Sequence, residues 1–176
     1  MLEGRRAKAQ RGELVLGLPR GYVLKPSGEV ALDADEEVQE IIRLVFALFE
    51  RRRSVSGVLR YLVNHDIRLP DRVCGVPHKG DVHWIRPSGR TLRDVLCNPL
   101  YAGAYVYGRR TYDGRLYQSG QPHSGKRLLR DPQSWRMPHR SARPAHIDWS
   151  ALERNQEQIV ANRTRRTGLP RCCSAG

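Results

Sequence analysis

The residues best suited to chemistry in this sequence are its tyrosines, histidines, cysteines and arginines, and their spacing decides what each set can do. Tyr101, Tyr105 and Tyr107 lie a few positions from Arg109 and Arg110. A tyrosine that attacks phosphate needs a base or a nest of arginines on a rigid element, so this run admits a nuclease or strand-transferase reading. The alternation of Tyr105 and Tyr107 with Ala104 and Val106 favours a different one, aromatics packed on one face of a strand. Six histidines and four cysteines invite a metal. Cys74, His78 and His83 are close enough to share an ion, and Cys172 with Cys173 could join them. Zinc is usually gripped by pairs roughly two to five residues apart, and adjacent cysteines grip it poorly. His123, His139 and His146 have no acidic pair beside them and no HExxH spacing. We therefore expect no metal, and with no Gly-rich phosphate loop, no nucleotide or redox cofactor.

The arginines remain. The 31 Lys and Arg against 18 Asp and Glu give a formal charge of +13, a surface that repels itself unless a polyanion is near. Nucleic acid is the partner such a balance points to. Residues 109–143 are the most basic part, with nine Lys or Arg facing only Asp113 and Asp131. Their Gly, Pro, Ser and Gln content predicts a segment mobile before it meets its partner. No run approaches the roughly 18 apolar residues that a bilayer span needs, and the first residues lack the apolar stretch of a signal peptide. A cytosolic protein with reduced thiols is expected, nucleoid-associated if the partner is DNA, with no membrane role.

Stepping outward from the arginines, the pattern predicts an α+β fold: a three-helix, winged-helix-like core with short β-hairpins, a basic N-terminal helix end and a C-terminal helix. Residues 1–13 read as the end of a helix bearing Arg5, Arg6, Lys8 and Arg11. Such a helix has little apolar face and needs a phosphate-lined groove to order it. Tyr22–Leu24 and Glu29–Leu32 flank the turn residues Pro26, Ser27 and Gly28, a hairpin signature. A first core helix follows, capped by Asp33 or Asp35, with Val38, Ile41, Ile42, Val45, Leu48 and Phe49 inward and a wet stripe of Glu36, Glu40, Arg43, Ala47 and Glu50. Ser54 caps a second helix that ends near Asn64 to Asp66, before a longer loop holding Cys74, His78 and His83. Ser88 caps a third, with Leu92, Val95 and Leu96 inward and Arg90, Arg93 and Asp94 outward, and Pro99 must stop it at Asn98. The Tyr105–Tyr107 strand should find its partner near Arg115 to Gln118 across a turn at Asp113 and Gly114. Asp148 or Ser150 begins the last helix, stitched by Leu152, Ile159 and Val160.

Three helices and then a ribbon is the order of a winged helix-turn-helix DNA reader, whose third helix lies in the major groove. On this reading Arg90 and Arg93 are the candidate base readers, since an Arg side chain forks onto the acceptor edge of guanine. Arg86, Arg109 and Arg110 would position the domain on sugar-phosphate. For each of them an ordinary solvated arginine is the competing reading.

The segments "AKAQRGELVLGLPRGYV", "LDADEEVQEIIRLVFALF", "SVSGVLRYLVNHDIRLP", "TLRDVLCNPLYAGAYVYGRR" and "DWSALERNQEQIVANR", in this order from about Arg5 to Arg163, resemble the recombinase domain of large serine site-specific recombinases, the phage integrase and transposon resolvase group. The Gly21-Tyr22 pair after Pro19, Asn98-Pro99 with Tyr101 and Gly103, and the Trp149-to-Asn162 helix carry the match. The resemblance implies a module that docks on duplex DNA at an attachment or resolution site and holds a catalytic domain over the crossover. It implies that Arg5, Arg6, Lys8 and Arg11 end a long helix crossing the minor groove. The family's serine nucleophile and its arginines belong to a preceding domain that this sequence does not hold, and "GLPRCCSAG" stands where the family's zinc ribbon begins. The expected division is 1–13 as basic linker helix, 14–163 as DNA-binding domain, and 164–176 as a disordered tail at the truncated start of the ribbon. By itself such a chain binds DNA and cuts nothing; self-association would run through the domains it lacks.

Overall fold

The computed structural model describes residues 18–72, 81–107, 110–112, 127–129, 136–139 and 143–167; for the strand residues from 110 to 139, for Tyr105 and Tyr107, and for residues 164–167, the backbone alone is described. The architecture is α+β, helices packed with small antiparallel strand pairs.

Local chemistry sets the helix boundaries. In α1 (Glu36–Arg52) the Asp35 carboxylate accepts the N–H of Glu37 at 3.0 Å, and Glu36 and Glu37 sit at the positive end of the dipole while Arg51 and Arg52 sit at the negative end. The helix closes at Arg53 in the left-handed region (φ 52°), whose N–H reaches the Phe49 carbonyl. In α2 (Val55–Asn64) the Ser54 hydroxyl accepts from Gly57 N–H at 3.0 Å. In α3 (Gly89–Leu96) the Ser88 hydroxyl accepts from Thr91 N–H at 3.1 Å. All three caps satisfy donors that a helix leaves orphaned. Asp33, the other candidate cap of α1, does something else. It is buried, accepts the Asp35 N–H, and pairs with Arg72 through two bonds of 2.6 Å.

The expected first hairpin is present: β1 (Tyr22–Leu24) pairs antiparallel with β2 (Val30–Leu32), Tyr22 opposite Leu32, around Gly28 at φ 83°. The loop expected between the second and third helices is instead partly strand. Here β3 (Leu69–Arg72) pairs with β4 (Val82–Ile85), Leu69 opposite Ile85. Cys74 and His78 lie outside the described residues, and His83 is an exposed residue of β4.

Pro99 ends α3 as expected, and Asn98 then caps a 3-10 turn (Pro99–Ala102) by accepting the Leu100 N–H at 3.2 Å. The strand that follows, β5 (Tyr105–Tyr107), pairs with β8 (Arg136–His139), while β6 (Arg110–Tyr112) pairs with β7 (Arg127–Leu129); Arg115 to Gln118, where a partner for β5 was expected, lie outside the described residues. The turn expected at Asp113 and Gly114 lies outside the described residues. Helix α4 (Trp149–Thr167) closes the body. Leu152 is fully buried and Ile159 partly so, but Val160 is 64% exposed.

The core draws on every layer: Ile42, Val45 and Phe49 from α1, Val58 and Leu62 from α2, Leu92 and Leu96 from α3, with Leu69, Tyr22 and Tyr101. Phe46, which belonged to neither stripe of the sequence pattern, is also buried, as is Gln39, whose amide donates to the Asp33 carbonyl at 2.9 Å.

Candidate nucleic-acid interface

Helix α3 has two unlike faces. Leu92, Val95 and Leu96 are sealed against α2 and α4, with exposures of 0 to 2%. Arg90, Arg93 and Asp94 project to solvent from the other side, and Arg86 is exposed just before the Ser88 cap. Among the described residues no carboxylate holds Arg86, Arg90 or Arg93 in an ion pair. A guanidinium left in water this way keeps its five donors free for another acceptor. Of the remaining sequence-predicted residues, Arg5, Arg6, Lys8, Arg11 and Arg109 lie outside the described residues, and Arg110 lies in β6 with only its backbone described. Of the sequence-predicted residues, Arg86, Arg90 and Arg93 are the ones whose side chains are described, and all three are exposed.

Helix α4 is tied to the C-terminal ends of α3 and α1. Gln156 donates to the carbonyl of Cys97, the residue that closes α3, at 3.4 Å, and Asn162 donates to the Arg53 carbonyl at the end of α1 at 2.7 Å.

The second structured cluster is aromatic. Tyr101 is fully buried, its ring 5.6 Å from Tyr22, 5.4 Å from Phe46 and 5.7 Å from His146. Its phenol donates to the Arg20 carbonyl at 2.8 Å. Burial pushes its ionisation well above the ordinary tyrosine range, with the neighbouring Tyr22 adding to the rise. A phenol so placed has neither solvent access nor a base, so the nucleophile reading fails for Tyr101. Burial likewise raises the Tyr22 phenol. The half-buried His146 ring lies edge-on to Tyr22 at 5.5 Å; desolvation, and then the nearby Arg43 charge, lower its pKa to about 4. His146 is therefore a neutral packing element near neutral pH. Among the described residues no group of three or more His, Cys, Asp or Glu side chains converges as a metal site would.

Sequence reasoning missed the Asp33–Arg72 pair. Burial alone would raise the Asp33 carboxyl, but the hydrogen bonds and charge of Arg72, with the N–H groups of Asp35 and Ala34, outweigh it and leave the group below its ordinary value. The pair ties the β1–β2 hairpin to β3, which no short-range pattern could signal.

A family model described as Recombinase matches residues 36–162. The chain belongs to the Recombinase family. This recombinase-family chain is 36% identical over 159 residues to the uncharacterized protein y4bA/y4pH of Sinorhizobium fredii (strain NBRC 101917 / NGR234), a match covering 89% of the chain and 22% of that relative. It therefore spans about a fifth of the relative's length. Its fold is similar to that in a crystal structure of an LSR–DNA complex, with TM-score 0.58 and 15% identity over 100% of this chain and 43% of the other. It is also similar to a structure concerned with the sequence requirements of the Listeria innocua prophage attP site, with TM-score 0.56 and 15% identity over 100% of this chain and 57% of the other. At such identities the two structures speak to fold alone. No helix among the described residues is long and apolar enough to cross a membrane.

Proposed function

We propose that this chain is a sequence-specific duplex-DNA-binding module of a site-specific serine recombinase, and that α3 is its groove-reading element. The observation that carries the proposal is the division of α3 into a sealed apolar face and a solvent face bearing the exposed Arg90 and Arg93. A helix of eight residues is about 12 Å long. That length suits a major groove about 12 Å wide, where Arg reads the O6 and N7 acceptors of guanine. Arg86 would contact phosphate beside it, and Arg109 and Arg110 would do so from the ribbon, as the wing of a winged helix does. Arg5, Arg6, Lys8 and Arg11 would follow the minor groove from a linker over residues 1–13, with residues 14–163 as the binding body. The family match, the net charge of +13 and the DNA complex among the structural relatives support this reading.

The test is a mobility-shift series against salt, using duplexes selected from random sequence by the pure protein. Log K should fall linearly with log salt, by about 0.9 for each phosphate contacted. A flat dependence refutes phosphate anchoring. Arg93→Ala should weaken the selected site by about 1–3 kcal/mol and relax one base position. An equal loss on every duplex would instead make Arg93 a backbone contact.

A further inference from the structure

The motif residues Gly21-Tyr22 and Asn98-Pro99 with Tyr101 and Gly103 take no part in the interface described above, yet they converge at one place. The chain leaves the helical body after the 3-10 turn, runs through residues 104–142, and returns through Arg143 to Ile147. The outgoing and returning roots are tied by backbone bonds: Arg143 N–H to the Gly103 carbonyl at 3.1 Å, and the N–H groups of His146 and Ile147 to the Tyr101 carbonyl at 2.8 and 3.1 Å. At Gly103, with φ 71°, a Cβ would stand 2.7 Å from the Arg143 carbonyl oxygen, so the roots approach more closely than any side chain allows.

Tyr22 spans both roots. Its hydroxyl lies 3.0 Å from the Leu100 carbonyl on the outgoing side and 2.9 Å from the Pro144 carbonyl on the returning side. One phenolic proton is thus shared between two acceptors on opposite roots, and the ring carrying it is 3% exposed, held between Tyr101 and His146. The hydroxyl is a poor choice for packing alone, because phenylalanine would fill the same space without a polar atom to satisfy. Its placement makes sense as a spacer fixing the separation and direction of the two roots.

We infer that Tyr22 is a positioning residue for DNA binding: its hydroxyl sets how the β5–β8 ribbon stands relative to α3, which ends one 3-10 turn before the ribbon begins. The inference rests on the proposed function and deepens it. Phosphate contacts from the ribbon survive only within hydrogen-bond reach, so a small change at the roots removes them while leaving α3 in place.

The experiment compares wild type with Tyr22→Phe, Gly103→Ala, and Tyr61→Phe as a control, since the Tyr61 hydroxyl has no hydrogen bond among the described residues. The first arm is hydrogen exchange of the free protein. Tyr22→Phe should speed exchange about tenfold at the amides of 104–107, 143 and 145–147 and leave those of α1 and α2 unchanged. The second arm is the salt dependence of binding to the selected duplex. A variant that merely folds less well loses affinity equally at all salt concentrations and keeps the wild-type slope. A misplaced ribbon gives a slope shallower by about 0.9 for each phosphate lost. Both Tyr22→Phe and Gly103→Ala should show the shallower slope, and Tyr61→Phe should not. If Tyr22→Phe fails to fold, Gly103→Ala moves the same roots from the other side and decides the matter. Unchanged exchange at the roots, or a wild-type slope in the folded variants, overturns the inference. A wild-type protein without salt-dependent duplex binding sinks the proposed function, while the exchange arm still reports whether Tyr22 holds the roots.

Discussion

Lowering the pH from 7 to 4.5 is expected to destabilise this fold through one side chain, His146. The ring lies against the phenols of Tyr22 and Tyr101, and a Cβ built on Gly21 would come within 3.7 Å of its Nε2, which is buried and has no hydrogen-bond partner among the described residues. The charged group that bears on it is Arg43 on α1, which opposes a second positive charge. The folded protein therefore holds His146 neutral down to a pKa of about 4, against an unfolded value of about 6.5. Between those values the unfolded chain binds the extra proton, so stability is greatest above about 6.5 and declines as the pH falls toward 4. A fully sealed ring with this shift would lose about 3 kcal/mol across the window. Because the His146 ring is only half-buried, solvent screening reduces the expected loss to about 1–2 kcal/mol. The assay is the urea midpoint at intervals between pH 7.5 and 4.5 for wild type and for His146→Phe, which keeps a ring and cannot titrate. The difference between the two curves isolates His146 from every group they share. Parallel curves would refute the reasoning and mean that the folded protein accommodates the imidazolium.

Other variants probe other joints. Asp33→Asn should cost about 2–3 kcal/mol, since it removes the buried charge that accepts two bonds from Arg72; the figure is below that of a fully buried pair because the Arg72 side chain is 32% exposed. In the wild type the Asp33 carboxyl, held below its ordinary value, contributes stability above about pH 4 that is lost on further acidification. Comparison of acid-unfolding curves for the two proteins separates this arm from that of His146. Ser88→Ala removes the acceptor of the Thr91 N–H and should cost about 1 kcal/mol in chemical denaturation. It should also weaken binding to the selected duplex more than Ser54→Ala, the matching cap change at α2, because only α3 presents Arg90 and Arg93.

The elements differ in how far sequence alone could locate them. The caps Ser54 and Ser88, the choice of Asp33 or Asp35 for α1, the stop at Pro99 and the inward faces of α1 and α3 were legible because each depends on residues within one or two turns. The outward Arg90 and Arg93 were legible for the same reason: once Leu92, Val95 and Leu96 face inward, helical geometry turns those arginines to solvent. The strand partners were not. β5 could as well have paired with the next polar, β-prone segment, and selects Arg136–His139, beyond the β6–β7 pair. Val160 sits next to the partly buried Ile159, yet it is 64% exposed, and which side of α4 meets the body is set by distant packing.

What this sequence determined by itself is therefore the set of helices, their ends, the basic surface and the motifs that mark the family, all written in contacts of short range. The tertiary structure alone decided which strands pair, that Asp33 leaves the cap of α1 to hold Arg72, and that Tyr22, Tyr101 and His146 meet at the ribbon's roots. Those choices join residues as far apart as Tyr22 and Pro144. They are settled by which distant surfaces can pack together and satisfy their polar groups, and no local pattern carries that information.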